Sequence, residues 1–73
     1  MDWNSRAKRL IKSELAKREI DYIKLAKLME AIGVDEKQAN IANKINRGTF
    51  SFSFALQIFE AIGVENLNLK DIT

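Results

Sequence analysis

The sequence predicts an all-α fold, a four- to five-helix bundle built around a helix-turn-helix. The chain of 73 residues has no proline and only three glycines, and a sequence with so few helix breakers is poor in tight turns. Apolar residues recur at the i, i+4, i+7 and i+8 spacing of amphipathic helices. The apolar fraction of 47% and the charged fraction of 30% are those of a folded protein, and the length indicates a single domain over residues 1–73.

Capping signals place the first two helices. The first helix is predicted over residues 3–18, with Asp2 as its N-cap. The second starts after Asp21, another good N-cap, and Gly33 offers the left-handed position that commonly ends a helix. The outer face of the first helix carries the cations Arg6, Lys8, Arg9, Lys12, Lys17 and Arg18.

Two further helices follow, and both are predicted to end at glycines. The third opens at Asp35 and runs to about Arg47, just before Gly48. The fourth begins near Ser51 and ends at Gly63. Its core-facing stripe is expected to consist of Phe52, Ala55, Leu56, Phe59 and Ile62.

Two parts of the sequence allow more than one interpretation. The stretches LMEAIGVDE, at residues 28–36, and IFEAIGVEN, at residues 58–66, are alike. They indicate either a duplication or, as we prefer, the same helix-ending chemistry used twice. Residues 65–73 form a C-terminal tail that is a short strand, a final helical turn or a flap over the fourth helix.

The composition argues against an enzyme. Cysteine and histidine are absent, which removes disulfides, thiolate nucleophiles, imidazole bases and the usual zinc sites. No two carboxylates are placed for acid–base chemistry, so we expect no catalytic residue, metal, cofactor or small-molecule substrate. No apolar run approaches the roughly 18 residues that span a bilayer. Because there is also no signal-peptide core, we expect a cytoplasmic protein without membrane contact.

The third helix has a polar face that is typical of a nucleic-acid reader. On a helical wheel at about 100° per residue, Asn40, Asn43, Lys44 and Arg47 fall opposite the apolar residues, with Lys37 on the flank. Asparagine pairs bidentately with adenine, arginine and lysine pair with guanine, and both cations hold phosphates. Asparagine is a poor helix former, so an exposed face under no other demand would more often carry glutamate, lysine or alanine. The alternative is an ordinary solvated helix face.

Residues 22–63 contain four short motifs. They are the pair Leu25–Ala26, the turn Gly33–Val34, the helix end Ile45–Asn46–Arg47–Gly48 and the closing Ile62–Gly63–Val64. Together they resemble the motifs of the lambda-repressor and Cro-like helix-turn-helix family. The run NIANKINRGTFS also resembles a small group of uncharacterised bacterial domains related to that family. The spacings on both sides of Gly33 are about three residues longer than usual, which is expected to lengthen the second helix and loosen the turn after it.

The resemblance implies a sequence-specific DNA-binding protein, a transcriptional regulator that reads the major groove with residues 36–47. Tyr22 and Lys24, at the start of the second helix, would meet phosphates, and Thr49 and Ser51 would lie near the DNA backbone. The residues expected to contact double-stranded DNA are Tyr22, Lys24, Lys37, Gln38, Ala39, Asn40, Asn43, Lys44, Arg47, Thr49 and Ser51.

The last helix has more apolar surface than one stripe requires. Phe54 and Ile58 lie off the stripe, so either the tail, with Leu67 and Leu69, or a second subunit must cover them. Because lambda-like domains often dimerise through this region, we expect a homodimer whose interface consists of Phe54, Ile58, Leu67 and Leu69. Two-fold pairing would suit DNA half-sites about 34 Å apart. The alternative, favoured by a net charge of only +2, is a protein–protein interaction module of the same fold with little DNA affinity.

Overall fold

The computed structural model describes residues 2–72, with side chains over residues 2–70. Within that range the chain is helical and contains no strand. The elements are α1 (Trp3–Lys17), α2 (Tyr22–Ala31), α3 (Gln38–Arg47), α4 (Phe52–Ile62) and a C-terminal 3-10 helix (Leu69–Ile72). The prediction of an all-α fold with four main helices is confirmed.

Side-chain caps begin three of the four α-helices. The Asp2 carboxylate accepts hydrogen bonds from two backbone N–H groups in the first turn of α1. The Asp21 carboxylate accepts one at 2.8 Å in α2, and the Ser51 hydroxyl accepts one at 3.0 Å in α4. Each cap satisfies an N–H that has no partner inside the helix. The two predicted N-caps and the predicted start of the fourth helix are therefore confirmed.

The predicted start of the third helix at Asp35 is wrong. The helix begins at Gln38, with Lys37 in the N-cap position and no side-chain cap. Glu36, two residues before the helix, pairs with Lys44 at 3.1 Å. The extra residues predicted to loosen the turn thus form an irregular connection over residues 32–37.

The two similar stretches of the sequence end α2 and α4 in the same way. Gly33 and Gly63 have φ values of +87° and +79°, in the left-handed region that glycine adopts without strain. The N–H of Val34 then bonds to the carbonyl of Met29 at 2.9 Å, and Val64 makes the equivalent 2.9 Å bond. This is the Schellman pattern of helix termination. It supports shared helix-ending chemistry as the source of the likeness.

The end of α1 follows the same pattern without a glycine. Glu19 occupies the left-handed position with φ +54°. The N–H of Ile20 bonds to the carbonyl of Leu15 at 3.0 Å, as Val34 and Val64 do after their helices. Ile20 then packs against the core. An exposed acidic side chain therefore stands where α2 and α4 have glycine.

The core draws on all four α-helices. One buried polar side chain, Glu14 at 3% exposure, lies within α1. The buried apolar residues are Ile11, Leu15, Leu25, Met29, Ile41, Ile45, Phe54, Ala55, Ile58, Phe59 and Ile62. Sequence spacing correctly places Ile41 and Ile45 on the buried side of α3.

The predicted stripe of α4 is wrong in part. Phe52 is 75% exposed and Leu56 is 50% exposed, whereas Phe54 and Ile58 are 5% and 0% exposed. The helix packs on α2, and the side that it buries in the core includes Phe54 and Ile58. Because apolar residues occur on nearly every side of α4, their periodicity alone does not identify the buried one. The predicted dimer interface through Phe54 and Ile58 is therefore also wrong, since neither side chain reaches the surface.

The C-terminal tail packs on α1 and not on α4. Its 3-10 helix contacts α1, and Leu69 lines a shallow groove there with Trp3, Ala7 and Leu10. Of the three predicted forms, a final helical turn is the one observed, and the flap over the fourth helix is not. Leu67 and Leu69 remain 41% and 61% exposed; Thr73, the last residue of the predicted tail, lies outside the described residues.

Candidate nucleic-acid interface

One side of α3 is buried and the other is polar and exposed. Ile41 and Ile45 are both 0% exposed, so they fix the rotation of the helix about its axis. The opposite side presents five exposed residues, which we call the α3 face: Ala39, Asn40, Asn43, Asn46 and Arg47.

The polar side chains of the α3 face are available to a partner. Within the described part of the chain, none of Asn40, Asn43, Asn46 and Arg47 makes a side-chain hydrogen bond or ion pair. Three amides and one guanidinium therefore point away from the core with their donors and acceptors unused. Asn46 is missing from the predicted contact residues, although a spacing of three residues from Asn43 places it on the same side.

Lys44 contacts other side chains of the protein and does not belong to the α3 face. Its Nζ lies 3.1 Å from both carboxylate oxygens of Glu36 and 4.9 Å from the ring centroid of Phe54. This arrangement, the Lys44 clasp, joins the connection before α3 to α4. The prediction that Lys44 faces bases conflicts with this geometry, because its ammonium is directed to Glu36.

The other predicted contact residues lie at the two ends of α3 and at the start of α2. Lys37 and Gln38 are exposed at the start of α3, and Thr49 is exposed just after its end. The Ser51 hydroxyl caps α4 and is thereby committed to the fold. In α2, Lys24 is exposed while Tyr22 is half-buried against the core.

The end of α3 is fixed against α1. Gly48 is buried and has a φ of +71°, and a Cβ at this position would overlap the backbone carbonyl oxygen of Asn4. The backbone at the end of α3 therefore approaches α1 so closely that no residue other than glycine fits at position 48. The contact places Arg47 and Thr49 beside the N-terminal turn of α1.

Three cations of α1 are engaged in local contacts. The buried Glu14 carboxylate pairs with Lys17 Nζ and with Arg18 Nη1, both at 2.9 Å. The hydrogen bond from Lys17, and to a smaller degree that from Arg18, holds the pKa of Glu14 below its usual range despite burial. The Arg6 guanidinium lies 5.0 Å from the ring centroid of Trp3. Lys8, Arg9 and Lys12 make no such contact among the described residues.

Metal binding and membrane insertion find no support in the described residues. No group of three or more His, Cys, Asp or Glu side chains is assembled to hold a metal ion there. No helix among them combines the length and apolarity that crossing a membrane requires.

Comparison with known proteins yields one match. A family model described as "Domain of unknown function (DUF6471)" matches residues 3–67. No curated protein and no solved structure matches the chain. The match agrees with the predicted likeness to uncharacterised domains, while the likeness to the lambda-repressor family stays a prediction.

Proposed function

The chain belongs to the DUF6471 family of domains of unknown function, and from its surface we propose that it binds duplex DNA in the major groove through α3. The observation that carries this proposal is the α3 face, where unpartnered amides and a guanidinium share one exposed side of a helix. A transcriptional regulator with this activity would work beside the DNA, in the cytoplasm, and would need no cofactor.

The chemistry of the α3 face matches the edges of base pairs. Asparagine offers one donor and one acceptor in the arrangement that adenine N7 and N6 require, and Arg47 offers a fork for guanine. Ala39 is small and leaves room for close approach or for contact with a thymine methyl. The 10 residues of α3 span about 15 Å, enough to reach several base pairs along the groove.

Residues around the α3 face supply the expected phosphate contacts. Lys37 and Gln38 lie at the start of α3, Thr49 at its end and Lys24 in the first turn of α2. Such contacts orient a protein on the duplex without reading its sequence. These exposed polar and cationic residues support the proposal as candidates for phosphate contacts, beside the base-reading side chains of the α3 face.

The direct test is fluorescence anisotropy with labelled duplexes of mixed sequence, at salt concentrations between about 50 and 200 mM. The wild type is expected to bind with an affinity that falls steeply as salt rises. The double variant N43A/R47A is expected to bind more weakly by about 2 kcal/mol or more, roughly thirtyfold. The control K27A/Q57A also removes one cation and one amide, from exposed positions in α2 and α4.

The variants test where DNA binds, and the wild type tests whether it binds at all. Loss of affinity in N43A/R47A with retention in K27A/Q57A supports the α3 face. Equal loss in both would place the interface elsewhere, and absence of wild-type binding at the lowest salt would remove the proposal.

A second candidate function is protein–protein interaction through α4. Phe52 at 75% exposure and Leu56 at 50% exposure are one helical turn apart, so they form an apolar pair on the outer side of the helix. We propose that the chain forms a homodimer through this pair and not through Phe54 and Ile58. Two-fold pairing there is compatible with DNA binding on α3.

The oligomeric state tests this second candidate. Sedimentation velocity over a wide concentration range is expected to show dimers of the wild type and monomers of Phe52→Asp. Leu56→Asp should act in the same way, while Gln57→Asp, a matched charge on the neighbouring exposed position, should leave dimers intact. A wild type that stays monomeric throughout would remove the homodimer.

A further inference from the structure

The cations of the chain are concentrated in one element. Of the 12 Lys and Arg residues, six lie in residues 3–18, and the same stretch contains one acidic residue, Glu14. Lys17 and Arg18 neutralise Glu14, and Arg6 stacks on Trp3. Among the described residues, neither Lys8 nor Lys12 makes an ion pair; Lys12 is exposed and Lys8 is half-exposed.

Lys8 and Lys12 continue a column that starts at Asn4. Residues four apart lie one above the other on a helix, so Asn4, Lys8 and Lys12 share one side of α1, which we call the α1 edge. Its first member touches Gly48, at the end of α3. Its last member lines an apolar groove of about 350 Å³ together with Tyr22, at the start of α2.

The α1 edge therefore connects the two elements proposed to meet DNA. Long side chains on a helix lean toward its N-terminus, so Lys8 leans toward Asn4 and Gly48. The electrostatics agree with this direction. The pKa of the Asp2 carboxyl is lowered chiefly by its hydrogen bond with Ser5, and the positive charge of Lys8 lowers it further.

We propose that the α1 edge binds the phosphate backbone of the duplex that α3 reads, with Lys8 and Lys12 each contacting a phosphate; this inference rests on the proposed function. The two residues are separated by about 6 Å of helix rise, which lets their flexible side chains reach different phosphates. The occupant is a polyanion such as DNA because the edge presents two lysines within a stretch, residues 2–18, that contains six cations and only two acids.

The α1 edge also explains how a chain with a net charge of only +2 can bind a polyanion. Residues 2–18 contain six cations against Asp2 and Glu14, which gives this stretch a charge of +4. The remaining residues contain six cations and eight acids, a charge of −2. The positive charge is therefore located beside α3, and the excess acid lies elsewhere in the chain.

The slope of log affinity against log salt measures the phosphates that the protein neutralises. With the same labelled duplexes, K8Q/K12Q is expected to reduce the magnitude of this slope by about 1.8, or 0.9 per phosphate contact. The matched control R9Q/K27Q lowers the net charge by the same amount, from +2, at two exposed positions off the edge, and should leave the slope unchanged. K8R/K12R, which keeps both charges, should restore it.

The outcomes distinguish this inference from the proposed function. Wild-type binding with equal slopes for K8Q/K12Q and R9Q/K27Q would overturn the α1 edge and leave α3 as the interface. Absence of wild-type binding would overturn both. Circular dichroism melts establish that each variant is folded, and if K8Q/K12Q unfolds, the single variants K8Q and K12Q should each reduce the slope by about 0.9. Tighter wild-type binding to single-stranded than to duplex DNA would also overturn the inference.

Discussion

Gly48, at the end of α3, packs directly against the backbone of Asn4, in the first turn of α1. A Cβ built at Gly48 would meet the carbonyl oxygen of Asn4 and lie 2.8 Å from its carbonyl carbon. Backbone atoms of a helix move only together with the helix. The position of α3, and of the face it presents, is therefore set partly by α1.

Gly48→Ala is expected to destabilise the protein by about 2–4 kcal/mol, because it adds a clash with α1 to the strain of a left-handed alanine. Gly33→Ala is the control: its φ is also positive, at +87°, but no atom lies within 4 Å of the added Cβ. The control should lose only about 1 kcal/mol. Urea unfolding measures both, and equal losses would show that the contact with Asn4 has no energetic role.

Glu19→Gly is expected to stabilise the protein by up to about 1 kcal/mol. Glu19 has a φ of +54°, and the left-handed conformation is unfavourable for a residue with a Cβ but not for glycine. Glu19→Ala removes the charge and keeps the Cβ, so its stability should stay close to that of the wild type. If alanine stabilised as much as glycine, the side-chain charge and not the backbone conformation would be responsible.

The Lys44 clasp is expected to contribute to stability and little to DNA affinity. Its ion pair is partly exposed, with the side chains of Lys44 and Glu36 at 43% and 21% exposure, so a coupling of about 0.5–1 kcal/mol is expected. A double-mutant cycle with Lys44→Met and Glu36→Gln measures this coupling. Lys27→Met removes an exposed cation of α2, outside the candidate interface, as the control. Additive effects in the cycle, together with a reduced salt slope for Lys44→Met, would instead return Lys44 to the DNA interface.

Acid is expected to destabilise the protein partly through Glu14. Its pKa is lowered in the folded protein, first by the hydrogen bond from Lys17, so the unfolded chain binds the proton more readily. The stabilisation is therefore complete above the unfolded pKa, about 4.3 for glutamate, and is lost as pH falls through the folded pKa. Thermal melts between pH 2 and 6, at about half-unit steps around that value, should show a flatter acid limb for Glu14→Gln than for the wild type. If the melting temperatures of both proteins fell equally as pH is lowered, the acid sensitivity would come from other carboxylates.

Local signals in the sequence account for most of the fold. Asp2 and Asp21 are short acceptors in front of apolar periodic stretches, and Gly33 and Gly63 follow the last residue of such stretches. These helix starts and ends depend on residues within one helical turn, so they can be predicted from the sequence alone. The start predicted at Asp35 is wrong, and no local signal marks the observed start, where Lys37 makes no side-chain cap. The ion pair before the helix joins Glu36 to Lys44, eight residues further along the chain.

The orientation of α4 and the outward residues of α3 show the limit of such signals. Apolar residues occur on nearly every side of α4, and only the tertiary packing makes Phe54 buried and Phe52 exposed. In α3 just two isoleucines are buried, so its polar side is readable from spacing. Even there the spacing does not reveal the contacts of Lys44, because its partners Glu36 and Phe54 lie outside the helix.

The asparagines of α3 have a consequence for evolution and engineering. Replacing any one of Asn40, Asn43 and Asn46 with alanine should stabilise the helix by roughly 0.5 kcal/mol. Their side chains have no partner among the described residues whose loss would offset this gain. Selection for heat resistance alone would remove them and with them the groups proposed to read bases. If a thermostable variant keeps all three asparagines, a function of these side chains, and not stability, accounts for their retention.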